Sequence, residues 1–157
     1  MSTSLFFSLK TVRTIVLDTD HLSILQRQVG EDYRNLTKRM AQHSVSDFAI
    51  SVVTFHEQML GSHAYINRSR SLDQVVKGYE IMARIVSDFK VLPVASFDAS
   101  AATAYAELES QRIQLAKMDA RIAAIALSRN LILLTRNHRD FSKVAGLVLE
   151  DWTVSYS

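Results

Sequence analysis

The chain has 157 residues, no cysteine, 48% hydrophobic and 22% charged residues, and a formal charge of +2 with a pI near 9.0. That is the composition of one globular domain with a real core, and it excludes disulfides and thiolate metal centres, so any metal must be held by oxygen or histidine. No apolar run approaches the roughly 20 residues needed to cross a bilayer, and the mild positive charge permits a nucleic-acid partner without demanding one.

Residues 1–13 contain Leu5-Phe6-Phe7 but lack the basic front and small-residue cleavage site of a signal peptide. They read as an N-terminal extension or an upstream start, before a single domain over 14–157 in a reducing, cytoplasmic setting. Residues 14–17 are β-branched or aliphatic and stop on Asp18-Thr19-Asp20, the pattern of a buried parallel strand whose carboxyl end carries the chemistry. Helical spacing follows over 22–28 and 33–43, with Gly30 between. A second strand is expected over 48–53, then a helix with Thr54 as its cap and Glu57 completing a Thr-x-x-Glu capping box.

Apolar residues every three or four positions predict a long helix over 71–89 with an apolar stripe. A short edge strand at 91–94 carries the only proline. Asp98 caps a helix to about Gln114, and residues 118–128 form a small-residue helix suited to close packing on a sheet. Residues 131–135 make an interior strand, 136–141 a turn, and 147–152 a last strand with an anchoring Trp152. Strand and helix alternate throughout. The expected architecture is α/β, three layers of α/β/α around a central, mainly parallel sheet of four to five strands.

Such a sheet collects the acids. Asp18, Glu57 and Asp140 all lie beyond strand carboxyl ends, and Asp119 opens a helix that must start from that same edge. Carboxylates this close repel unless a cation neutralises them, and an all-oxygen set favours a hard ion, Mg²⁺ or Mn²⁺, able to acidify water and to screen a phosphodiester. A solvated cap remains the alternative for each acid alone.

Four pieces in order resemble the PIN domains, and within them the VapC-type toxin ribonucleases of toxin–antitoxin modules. The pieces are Asp18-Thr19-Asp20 after an aliphatic strand, Glu57 after Ser51-Val52-Val53-Thr54, Asp119 opening its Ala-rich helix, and Thr135-Arg136-Asn137-His138-Arg139-Asp140-Phe141. The resemblance runs from about Thr14 to Trp152. It implies a Mg²⁺- or Mn²⁺-dependent endoribonuclease acting on structured RNA such as tRNA or rRNA, a homodimer, and inhibition by a cognate VapB-like antitoxin. It makes Asp18, Glu57 and Asp119 metal-binding acids. The family's fourth acid stands where this chain has either Asn137 or Asp140; Asn137 is an amide, so Asp140 is favoured, with Asn137 and Thr135 in support. Asp20 fits hydrogen bonding better than coordination.

Arg136 and Arg139 flank the expected pocket and suit phosphate contacts; Lys38, Arg39, Arg68, Arg70, Arg112 and Lys117 are further candidates for an RNA track. The histidines share no ligand spacing, and glycine is too scarce for a phosphate-cradling loop. The apolar faces of the helices over 33–43 and 55–66 are broader than one small core needs, and one of them is expected to bind a partner. Two rivals stand beside the nuclease: a PIN fold that only binds, and a haloacid-dehalogenase-type phosphatase with Asp18 as nucleophile and Asp20 as acid.

Overall fold

The computed structural model describes residues 14–155, so the extension expected over 1–13 lies outside the described residues. The elements run β1 (Ile15–Leu17), α1 (Thr19–Arg27), α2 (Glu31–Met40), β2 (Phe48–Ser51), α3 (Val52–Arg68), α4 (Leu72–Asp88), β3 (Val94–Ala95), α5 (Ala99–Ser110), α6 (Lys117–Ser128), β4 (Ile132–Leu134), α7 (His138–Phe141) and β5 (Val148–Glu150). The five strands form one sheet in the order β3-β2-β1-β4-β5, every pairing parallel. Because the chain builds outward from β1 on one side and then returns to its other side with β4, the switch point lies between β1 and β4, and ligands bind such sheets at the strand carboxyl ends there.

Alternation along the strands supplies a core on each face. On one face Val16, Ala49 and Leu133 meet α5 and α6. On the other Ile15, Leu17, Phe48 and Leu134 meet Ile24, Leu36 and Trp152. Ala120 and the run Ile122, Ala123, Ala124, Ile125 and Ala126 of α6 are all buried, since alanine lets the helix axis approach the sheet. An added isobutyl group there, as in Ala124→Leu, would overpack the layer at a cost of about 1–3 kcal/mol.

Several boundaries differ from those expected, for local reasons. Ser51, not Thr54, caps α3: its hydroxyl accepts from the amides of Val53 (2.9 Å) and Thr54 (3.4 Å), so β2 ends earlier and no box joins Thr54 to Glu57. Residues 136–141 hold a short helix rather than only a turn, because the Asn137 side chain accepts from the Asp140 amide at 3.4 Å. The stripe on α4 is two stripes. Ile85 and Gly78 are buried, and a Cβ at Gly78 would overlap Ile66 Cγ1 of α3; Leu72, Val76, Tyr79 and Val86 are exposed. The broadest uncovered apolar helix face is therefore on α4, whereas Tyr33 and Met40 of α2 pack on the core. No helix among the described residues is long and apolar enough to cross a membrane.

Candidate active site

The parallel sheet delivers β1, β2 and β4 to one edge, and each releases a polar residue there. Leu17 hands over to Asp18, Leu134 to Thr135, and Ser51 caps the helix that carries Glu57. Asp18 occupies the N-cap position of α1 but makes no side-chain cap. Its backbone amide donates to the Leu134 carbonyl at 2.9 Å, extending the β1–β4 ladder by one rung, and its carboxylate accepts from the Thr135 hydroxyl at 2.8 Å. The side chain therefore faces the switch point.

Asp18 is 6% exposed. Burial, and then the neighbouring Asp20 charge, push its carboxyl from an ordinary 3.8 up to about 7; the Thr135 hydroxyl and Thr19 amide pull back, and Asp119 adds a further push upward. Asp20 behaves differently. Burial would raise it, but hydrogen bonds from His21 Nδ1 (2.8 Å) and the Arg136 amide (2.9 Å) outweigh that and hold it below its ordinary value.

Asp119, in the first turn of α6, is half-buried and raised by burial and then by the charges of Glu57, Asp140 and Asp20. Glu57 accepts from the Thr19 hydroxyl at 2.9 Å, which also lies 3.2 Å from the Thr54 hydroxyl. Asp140 stands at the open rim. The Asn137 amide donates to it at 3.2 Å and Lys143 at 3.3 Å, and these hold its carboxyl below the ordinary value. Asp119 thus feels the charges of Glu57, Asp140 and Asp20, and Asp18 those of Asp20 and Asp119, so the five acids share one edge of the sheet.

Thr135 and Asn137 lie in the same network: the Asn137 amide donates to the Thr135 hydroxyl at 3.0 Å. Arg136 is exposed and paired with Asp32 at 3.2 Å, and Arg139 is exposed on α7. Arg39 is turned away from such a role by Glu150 (3.3 Å) and the Trp152 ring, 4.5 Å from its guanidinium carbon.

Among the described residues no three Asp, Glu or His side chains stand close enough to enclose an ion between them. The donor set still suits a hard divalent cation. It is all oxygen, two of its members are held above their ordinary pKa by burial and then by neighbouring carboxylates, and Mg²⁺ characteristically keeps waters and takes only one or two direct carboxylates.

Sequence reasoning missed three contributors. Thr19 orients Glu57, Lys143 neutralises Asp140, and the buried His21 links Asp20 to the Trp152 amide. The first follows from the turn and the second from an i,i+3 spacing. His21 shares the inward helix face with Leu22 and Ile24, which is the signal that could have found it.

Carboxylates at the switch point of a parallel sheet define the class as an α/β fold with an acidic site at its strand carboxyl ends. The PIN domain family matches residues 15–147. The chain is 38% identical over 108 residues to the tRNA(fMet)-specific endonuclease VapC of Shigella flexneri, covering 66% of this chain and 74% of the relative. It is 31% identical over 113 residues to the Salmonella typhimurium protein of the same name, covering 69% and 78%. Its fold resembles the DNA-bound VapBC complex of Salmonella typhimurium, with a TM-score of 0.69, 26% identity and coverage of 89% of this chain and 98% of that one. It also resembles VapBC-1 of Haemophilus influenzae, with a TM-score of 0.71, 21% identity and coverage of 90% and 99%. The chain belongs to the PIN domain family, among its VapC-type toxin nucleases. The phosphatase reading falls with that assignment.

Proposed function

We propose that this protein is a Mg²⁺- or Mn²⁺-dependent endoribonuclease that hydrolyses a phosphodiester bond in structured RNA, with tRNA the first candidate because both similar VapC enzymes are named for a tRNA. The observation that carries the reading is the gathering of carboxylates at the β1/β4 switch point, with the charged form of Asp18 disfavoured until a cation arrives. Asp18, Glu57 and Asp119 would hold the ion, with Asp140 as a fourth acid beside them. Asp20, Thr135 and Asn137 orient these groups. Arg136 and Arg139 steady phosphates on the exposed side. When bound, the cation acidifies a water at neutral pH and screens the phosphodiester charge. Glu57, kept in place by Thr19, is close enough to Asp119 to share the ion's charge.

A cognate VapB-like antitoxin keeps the enzyme inactive in this reading, which rests on the VapBC complexes among the similar structures. A cleft of about 630 Å³ between α1, α3 and α4, walled by Arg27, Tyr65, Ile81 and Arg84, offers it a partly apolar seat beside the uncovered α4 face. The active form is a homodimer, which light scattering would show directly.

The test is incubation of the purified protein with total cellular RNA and with an initiator tRNA transcript, in Mg²⁺ or Mn²⁺, against EDTA and Asp18→Asn controls, with product ends mapped. Discrete fragments that vanish in both controls are expected. Intact RNA from folded, cation-loaded protein free of antitoxin would return the chain to a binding role.

A further inference from the structure

We infer that His21 is a positioning residue of this site: locked as the Nδ1–H tautomer by the Trp152 amide, it fixes the Asp20 carboxylate and, through it, the 135–136 turn that presents Thr135 to Asp18. The inference rests on the nuclease reading of the site. His21 is completely buried, on a helix face where Leu22 and Ile24 show that an aliphatic side chain would satisfy packing. Both ring nitrogens are nevertheless used. The Trp152 backbone N–H donates to Nε2 at 3.2 Å, so Nε2 must present a lone pair. The ring proton therefore sits on Nδ1, 2.8 Å from Asp20 Oδ1.

Among the described residues Asp151 is the other acid paired with the ring, 3.6 Å from Nε2, and its Oδ1 already accepts from the Thr153 amide at 2.9 Å and the Thr153 hydroxyl at 2.6 Å. An N–H on Nε2 would meet the Trp152 N–H head on, so the ring donates from Nδ1.

The consequence lies on the other oxygen of Asp20. Oδ2 accepts from the Arg136 amide at 2.9 Å and lies 3.4 Å from the Thr135 hydroxyl, which donates to Asp18 at 2.8 Å. A carboxylate held at one oxygen by a rigid buried ring can hold a loop with the other. An Asp20 free to rotate would release the 135–136 turn and leave Asp18 without its hydroxyl donor. This is how partners beyond the direct ligands tune metal sites, where their loss typically lowers metal affinity or activity by roughly 10–100-fold.

The two arms can be cut separately. His21→Asn keeps an N–H near the Nδ1 position but cannot reach Trp152; His21→Gln reaches toward Trp152 with an acceptor but loses the Nδ1 donor. For His21→Asn, which keeps a donor for Asp20, we expect a lower melting temperature and a fall in kcat of less than tenfold. For His21→Gln we expect a melting temperature closer to wild type, kcat down roughly 10–100-fold, unchanged KM for RNA, and at least tenfold weaker Mn²⁺ binding by calorimetry. Activity that simply follows stability across the two variants, or a His21→Gln enzyme with wild-type kcat and Mn²⁺ affinity, overturns the inference. The wild-type imidazole supplies a check that needs no variant: ¹⁵N NMR of the metal-free protein near pH 7 should show Nδ1 protonated and Nε2 bare, and the reverse pattern sinks the proposal. A wild-type protein that cuts no RNA removes the nuclease reading alone, because the Mn²⁺ affinities and the tautomer still decide the role of His21.

Discussion

Asp18 and Asp140 are the same residue type at the same sheet edge, and their environments move them in opposite directions. Asp18 is buried at the switch point with Asp20 for a neighbour and is pushed up to about 7. Asp140 lies at the rim, where Asn137 and Lys143 hold it below its ordinary value. The site therefore has a wall and a rim. The wall, built from Asp18, Asp20, Thr135, His21 and the half-buried Asp119, is largely buried, hydrogen-bonded and short of positive charge; the rim, built from Asp140, Lys143, Arg136 and Arg139, is more exposed and self-neutralised. A cation has most to offer the wall, and a polyanionic substrate first meets the rim.

Breaking the wall should have the largest effect. Asp18→Asn keeps the shape and removes the charge, and kcat should fall by roughly 10²–10³, the scale for losing one preorganised electrostatic group. Asp119→Asn should do nearly the same. Stability should move the other way. In EDTA at pH 8, Asp18→Asn should be more stable than wild type by an amount on the order of a few kcal/mol, because the mutant no longer buries an uncompensated charge. Chemical denaturation of both proteins measures this; an Asp18→Asn protein less stable than wild type would refute the account of the wall.

The same contrast fixes a pH dependence. The folded Asp18 carboxyl titrates near 7 against 3.8 when unfolded, so between those values the folded state binds more protons. Stability contributed by the protonated form is complete below about 4 and is lost as pH rises through about 7. The metal-free wild type should accordingly melt at a falling temperature from pH 5 to 8. Millimolar Mn²⁺ should flatten or reverse the slope, and Asp18→Asn should flatten it without metal. Asp140, lowered, acts with the opposite sign, but its exposure leaves it a small part of the profile.

The wall and the rim were each partly legible in the sequence, for physical reasons. An aliphatic run ending on Asp18 announces a buried strand with a polar end, and the alternation of elements makes the sheet parallel; these are local signals, and the five-stranded parallel sheet follows them. The β2–α3 junction was misread because Ser51 and Thr54 are equally good caps by type, and only the point where β2 leaves its neighbours selects Ser51. The Asp20–His21–Trp152 link spans 131 residues between ring and amide, a separation at which sequence spacing carries no signal. The stripe on α4 was legible, but not the exposure of Leu72, Val76, Tyr79 and Val86 along it, because periodicity reports that a face is apolar, not whether anything covers it.

Changes at the rim should sharpen the contrast by doing little. Asp140→Asn leaves the Asn137 cap able to accept from the backbone and releases Lys143, so the fold should be unaffected. Because Asp140 contributes charge from an exposed position, kcat should drop by less than about tenfold, well short of the wall variants. Equal losses in Asp140→Asn and Asp119→Asn would show that the rim binds the ion as tightly as the wall and would erase the distinction drawn here.

The smallest effect concerns Arg136, whose backbone belongs to the wall and whose guanidinium belongs to the rim. The amide is held by Asp20 and should stay fixed, while the side chain is half-exposed and tied to Asp32 at 3.2 Å, a surface pair of the kind worth about 0–1 kcal/mol. Asp32→Asn removes that competitor without touching a carboxylate of the site. The freed guanidinium should then engage RNA phosphate more readily, lowering KM by roughly two- to fivefold at low salt, within that energy, with kcat unchanged. The gain should fade as salt is raised, since counterion release is its source. An Asp32→Asn enzyme with altered kcat, or with a KM gain indifferent to salt, would place Arg136 in the chemistry of the wall instead of the reception of substrate at the rim.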